Sequence, residues 1–186
     1  GIDSASDNGR IVDVGPRLEA QADREIAATG RLVSPPFVDS HFHLDSTLSY
    51  GQPRVNRSGT LLEGIELWGE LKSGLTVDNI KARAAELCRW AIARGTLAIR
   101  SHVDVSDDKL VAVIALLELR DEIKPYIDLQ LVAFPQDGYY RNGSCAANLE
   151  RALDLGVDVV GGIPHFERTK AEGEIGRASC RERVCR

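Results

Sequence analysis

Methionine is absent from all 186 residues, and aromatic side chains make up only 5% of them. A chain that opens on Gly1 and holds no Met reads as one whose translated start lies elsewhere. No run approaches the roughly 18 apolar residues that a membrane span needs. The first ten residues, GIDSASDNGR, lack the basic start and apolar stretch of a secretory signal. Cysteine is scarce, and two of the four, Cys180 and Cys185, fall in the terminal stretch Glu174 to Arg186. Cys88 and Cys145 remain, with no CxxC spacing, so neither a disulfide framework nor a zinc knuckle is in view and a reducing, cytoplasmic setting is expected. Basic charge is in deficit: 23 Lys and Arg face 28 Asp and Glu, for a net charge of −5. That balance argues against nucleic acid or an anionic membrane as partner.

What is present is a globular composition, 43% hydrophobic and 27% charged. The last stretch, EIGRASCRERVCR, stands apart, having no apolar face and four Arg in an otherwise acidic chain. It resembles the in-frame translation of a sequencing adapter, and residues 174–186 are expected to be a non-native tail.

Four apolar, β-branched runs read as strands: Leu32 to Phe42, Thr96 to Val105, Ile127 to Phe134 and Val157 to Ile163. The last three are nearly continuous, as in strands buried on both faces. Helical patterns lie between them. Thr76 to Arg94 puts Ile80, Ala84, Leu87, Cys88, Ala91 and Ile92 on one face, with Asp78 near its start and Gly95 closing it. Ser106 is expected to cap the next helix, with Leu110, Ile114, Leu117 and Ile123 buried. A third runs from Ser144 to Leu155 and stops at Gly156. Strand starts recur at roughly 30 residues, the size of a βα unit in a parallel sheet. No GxGxxG or GxxxxGK[ST] follows a strand, which removes the usual phosphate-binding reasons for an open doubly wound sheet. A complete (β/α)8 barrel needs about 250 residues. Residues 32–173 are therefore expected to be the N-terminal half of a TIM-type α/β barrel, and residues 1–31, with GRIVDVGP as a strand into a turn, the remnant of a small accessory β-domain.

His41 and His43 end the first barrel strand, in PPFVDSHFHLD. Residues i and i+2 of a strand share a face, so both imidazoles can grip one metal ion at the end of the strand where barrel active sites form. His102 and Asp104 alternate along the second barrel strand and could support that site or form a structural pair. His165 and Glu167, in IPHFE, form an HxE, but the PCxxC of the zinc-dependent nucleobase deaminases is missing, so that reading is rejected. The stretch Asp45 to Leu75 reads as a long polar loop at the catalytic face.

PPFVDSHFHLD, GQPRVNRSGTLLEGIELW, SHVDVSD, DLQLVAFPQDG and GVDVVGGIPHFE together resemble the amidohydrolase superfamily, and within it the bacterial cytosine deaminase group. The resemblance implies a mononuclear site in which His41 and His43 match the first two ligands. Its remaining ligands, a His and an Asp, and its proton-carrying Glu and His follow later strands that this chain does not contain. Gln136, in AFPQDG, matches the residue that reads the amide-like edge of a pyrimidine, which suits a carboxamide with its donor and acceptor. Phe134 and Leu61 are candidate walls for a flat ring, with ordinary packing the competing reading. The end of the fourth strand carries no Lys, since Lys170 lies beyond it, and this favours the one-metal subtype. The resemblance implies Fe2+, with Zn2+ as substitute, and deamination of cytosine in pyrimidine salvage, with a small heterocycle as partner and a homo-oligomer left open. Isoguanine, creatinine or a triazine are alternative substrates, and the chain taken alone is expected to be an inactive fragment. The 45–75 stretch is expected to fold over the metal.

Overall fold

The computed structural model describes residues 1–19 and 21–174; the expected tail lies, from residue 175 on, outside the described residues. The chain clusters into two units, Gly1–Pro35 and one beginning at Pro36. In the first, β1 (Asp3–Asp7) pairs antiparallel with β2 (Arg10–Gly15). Asn8 and Gly9 join them with φ of 50° and 74°, the double positive-φ turn whose twist matches that of a hairpin. The GRIVDVGP strand is present. Its partner DSASD went unread because it carries almost no apolar side chain, although Asn-Gly is the strongest short hairpin signal.

The second unit holds a four-stranded sheet in the order β3 (Phe37–Phe42), β4 (Thr96–Asp104), β5 (Asp128–Phe134), β6 (Val159–Val160), all parallel. Sequential parallel strands joined through helices are the arrangement of one half of a (β/α)8 barrel, as expected. The first strand starts at Phe37 rather than Leu32, after the Pro35-Pro36 pair, which has no N–H groups to donate to a ladder. The fourth pairs over two residues only, because Gly161, Gly162 and Pro164 break the run. Gly161 is required by close approach: a Cβ there would meet the Ala133 carbonyl oxygen and Val132 Cγ1 at 2.8 Å each.

Helices connect the strands, and those after the first pack on one face of the sheet. The helix α1 (Leu61–Lys72) follows β3, then α2 (Val77–Ala93), α3 (Val111–Ile123) after β4 and α4 (Cys145–Asp154) after β5. Ile80 and Ala84 of α2, Leu116 of α3 and Leu149 of α4 join Ile99, Val103 and Leu131 of the strands in one core. Cys88 is buried in that core, and Cys145 is buried outside it; both are free thiols. The opposite face of β4 and β5 carries Arg100 and Gln130, hydrogen-bonded at 2.6 Å.

Two helix expectations are corrected. The 45–75 stretch is not one loop: α1 occupies its second half, started by Thr60, whose hydroxyl accepts from the Glu63 N–H at 3.3 Å. Ser106 does not cap α3. The helix begins after Leu110, a left-handed residue with φ of 52°, and the Asp107 carboxylate accepts from the N–H groups of Lys109 and Val111. Ser106 is instead buried, its hydroxyl accepting from the Asp137 N–H at 3.0 Å. The buried face of α3 is also rotated from the one expected. Ala112, Val113, Ala115, Leu116 and Leu119 turn inward and Ile114 is exposed, while Leu117 and Ile123 are only partly buried. Leu116→Ala is therefore expected to cost about 2–5 kcal/mol, and Ile114→Ala well under half as much. Urea unfolding of both variants decides, and the reverse order would contradict this packing.

Candidate active site

The C-terminal ends of the parallel strands lie at one edge of the sheet, and the candidate residues gather there. Along β3 the register with β4 slips between Asp39 and Phe42, a bulge that absorbs an extra residue beside His41. The Asp39 carboxylate accepts from the His41 N–H at 3.2 Å within that bulge. Beyond it, the buried Ser101 hydroxyl accepts from the Leu44 N–H at 3.0 Å and fixes the chain leaving His43. The Asp45 and Thr47 carbonyl oxygens accept from the Arg83 guanidinium.

His41 and His43 stand with ring centroids 5.4 Å apart. Two imidazoles sharing one tetrahedral ion have centroids about 5 Å apart, given metal–nitrogen bonds of about 2.0–2.1 Å. The pair therefore fits a share in one ion. Burial and the neighbouring His41 push the His43 pKa down, towards the neutral form that binds metals. His102 stacks on His41 at 4.0 Å, too close and too nearly parallel for both rings to converge on one ion. Its Nδ1 is buried with no hydrogen-bond partner, and burial followed by the two other imidazoles lowers its pKa to about 4. Among the described residues no group of three or more His, Cys, Asp or Glu is arranged around a single metal position. Among the described residues, His41 and His43 are thus a pair of rings with no third such group converging on them.

Phe134, at the end of β5, sets its ring edge-on to His43 at 5.6 Å and to His102 at 5.5 Å. Gln136 follows two residues later. His41, His43, Phe134, Gln136 and Leu61 all line one cavity of about 590 Å³. All five residues singled out from the sequence for the metal and the ring therefore meet at one place.

Sequence reasoning missed the wall opposite. Ile65, Leu67, Trp68 and Leu71 of α1 line the cavity, as does His165. Trp68 donates its indole N–H to Asp104 at 2.7 Å, and Lys72 reaches Asp104 at 3.4 Å and Asp137 at 2.6 Å. Burial opposes the Lys72 charge, but the two carboxylates outweigh it and raise its pKa. Asp104, 4% exposed, also accepts from the Ser106 N–H at 2.8 Å, and its own N–H donates to Asp45 at 2.9 Å. Asp45 is fully buried, which lifts its carboxyl pKa to about 7. Of the pair read on the second barrel strand, His102 thus turns to the histidines and Asp104 to α1. Glu167 accepts from the Tyr139 and Tyr140 N–H groups and serves as a loop anchor. The missed signal was Thr60-x-x-Glu63, a helix-start pattern, followed by Leu61, Ile65, Trp68 and Lys72 at helical spacing.

The chain belongs to the amidohydrolase family, whose model matches residues 24–184. It is 34% identical over 176 residues to the N-isopropylammelide isopropyl amidohydrolase of Pseudomonas sp. (strain ADP), covering 89% of this chain and 43% of that protein. Among solved structures it is similar to the 5-methylcytosine deaminase of Klebsiella pneumoniae liganded with phosphonocytosine, with a TM-score of 0.89 and 39% identity, over 98% of this chain and 46% of that one. It is also similar to the N-isopropylammelide isopropylaminohydrolase of Burkholderia multivorans, with a TM-score of 0.79 and 28% identity, over 100% of this chain and 47% of that one. The chain spans less than half the length of each of these relatives.

Leading into α1, the Glu63 carboxylate takes the Ser58 hydroxyl at 2.5 Å, the Ser58 N–H at 2.7 Å and Arg54 at 2.8 Å. The Ser58 hydrogen bonds, hydroxyl then backbone, lead in lowering its pKa to about 2. A depressed carboxyl pKa means stabilisation that is complete above the unfolded value and lost as pH falls through the folded one. The 56–63 turn is therefore expected to hold its native amide shifts from pH 7 to below pH 4 and to lose them towards pH 2. An NMR titration in which those shifts move around pH 4.5 would contradict the assignment.

Proposed function

We propose that the whole protein containing this chain is a metal-dependent deaminase of amino-substituted pyrimidines, with cytosine as the first candidate substrate. The observation that carries the reading is the meeting of the His41 and His43 pair with Gln136 and Phe134 around one cavity. Family membership and the likeness to a 5-methylcytosine deaminase support it.

His41 and His43 would supply two nitrogen donors to a divalent ion, Fe2+ or Zn2+, both of which accept imidazole. Such an ion, when bound, supplies a Lewis acid that makes water nucleophilic near neutral pH. The Gln136 carboxamide orients the ring, offering an N–H donor and a carbonyl acceptor to its amide-like edge. Phe134 limits the ring's position beside the histidines, and Ile65, Trp68 and Leu71 of α1 wall the cavity, with Leu61 itself largely exposed. The net reaction adds water at C4 of cytosine and expels ammonia, leaving uracil. No side chain of this chain is assigned to moving protons.

A second reading is carried by the similarity to the N-isopropylammelide hydrolases, which spans nearly the whole chain. It keeps the site and changes the ring to the one those enzymes are named for.

Release of ammonia from cytosine and 5-methylcytosine, against release of isopropylamine from N-isopropylammelide, by the whole protein separates the two readings; turnover of the last alone would replace the first. His41→Ala and His43→Ala are each expected to lower metal content and turnover by at least the roughly 10–100-fold that losing a ligand's supporting partner costs. Metal analysis of the purified variants checks this, and full metal retention in both would remove the ligand assignment.

A further inference from the structure

The helix α1 is the only element whose apolar side chains, Leu61, Ile65, Trp68 and Leu71, form a continuous wall of the cavity among the described residues. A helix reached through a long surface segment has no covalent reason to hold a fixed distance from the sheet. Trp68 supplies one. Its ring borders the cavity, while its indole N–H is tied at 2.7 Å to the carboxylate of Asp104, at the end of β4. Asp104 cannot follow a moving helix, because its other carboxylate oxygen is held by the Ser106 N–H and its own N–H by Asp45, two residues past His43. The indole is thus referenced, through one buried carboxylate, to the strand end that carries the histidine pair.

We propose that Trp68 is a specificity-determining wall of the site and that Asp104 is its positioning residue. Together they fix how much room remains beside the ring, and so whether a small apolar substituent on the ring edge facing α1 is accepted. The proposal rests on the deaminase reading for its substrate class, amino-pyrimidines with or without a ring methyl group. The chemistry suits the role: an indole and aliphatic wall gains from burying a methyl group and offers no partner to a polar one. A packing role alone would make both residues matter for stability and for neither substrate in particular.

The test compares kcat and KM for cytosine and 5-methylcytosine in the whole protein and its Trp68→Phe, Asp104→Ala and Asp104→Asn variants. Trp68→Phe removes the anchored N–H, and Asp104→Ala removes its acceptor. Each is expected to change the ratio of the two kcat/KM values by roughly tenfold, the scale of discrimination worth one methyl group, and to act mainly through KM. Asp104→Asn keeps one carbonyl oxygen that can accept from the indole but sets its NH2 against the Ser106 N–H, and is expected to restore the ratio in part. A ratio unchanged in Trp68→Phe and Asp104→Ala, with only the melting temperature lowered, overturns the proposal. So does an Asn variant that behaves like Ala.

A second arm does not depend on turnover. In a background where exposed Trp90 of α2 and every tryptophan outside this chain are replaced by Phe, Trp68 is the sole tryptophan. Acrylamide quenching of its emission is expected to rise several-fold with Asp104→Ala and by less with Asp104→Asn; equal quenching in all three contradicts the tether. If the wild-type protein turns over neither ring, the deaminase reading fails and takes the substrate-selecting role with it, while the quenching still reports separately on whether Asp104 holds Trp68.

Discussion

A carboxylate taken out of water at the end of a strand is costly unless its oxygens are met by donors and its charge by an opposite one. Asp104 is in that position, and the surroundings of the candidate site follow from how its demand is satisfied. Ser106 meets it from the chain just beyond β4, Trp68 and Lys72 from α1, and Lys72 carries the link on to Asp137 beyond β5. Three separate stretches of chain are drawn to one point by a single side chain. Because the Asp104 N–H also holds Asp45, the same point controls the segment just past the histidines. An apolar residue at position 104 would leave Lys72 half-buried with Asp137 alone, and the indole without its partner.

The sheet supplies the other half of the geometry. The β4 and β5 strands pair over seven consecutive residues without slippage, so Asp104 and Phe134 end level with each other. On β3 the bulge breaks that regularity where His41 stands, and the Ser101 hydroxyl restores order immediately after His43. A rigid ladder on one side and a local irregularity on the other are what a site for a metal and a ring requires: fixed walls, with a backbone free to aim two imidazoles. The likeness to solved amidohydrolase structures over nearly the whole chain fits this division, since the shared part includes the strands that carry these side chains.

Much of this was legible in the sequence. Apolar runs marked β4 and β5 closely because parallel strands leave little room for polar residues on the helix-covered face. The histidine pair could be read because period 2 puts both rings on one side, whereas Gln136 was singled out only through the resemblance of AFPQDG to a known family. The parts that were not legible have physical reasons. In α3, VAVIALLELRDEI is apolar on nearly every side, so periodicity could not say which face turns inward, and the start set by Asp107 rotated it. In α1, Gly64 and Gly69 and the polar approach from Arg54 to Thr60 masked a helix-start pattern at Thr60 and Glu63, and the contacts of Glu63 with Ser58 and of Trp68 with Asp104 add to it. Trp68 could not be placed from sequence at all, because its partner lies 36 residues away.

The account turns on one claim, that His41 and His43 hold a single divalent ion at the C-terminal end of β3. Anomalous diffraction at the metal edge from crystals of the whole, metal-loaded protein measures this directly. The account predicts one peak about 2.0–2.2 Å from a ring nitrogen of each histidine, within the cavity bordered by Phe134, Gln136 and Trp68. A peak bonded to neither histidine, or turnover of a pyrimidine by protein shown to contain no metal, would contradict it.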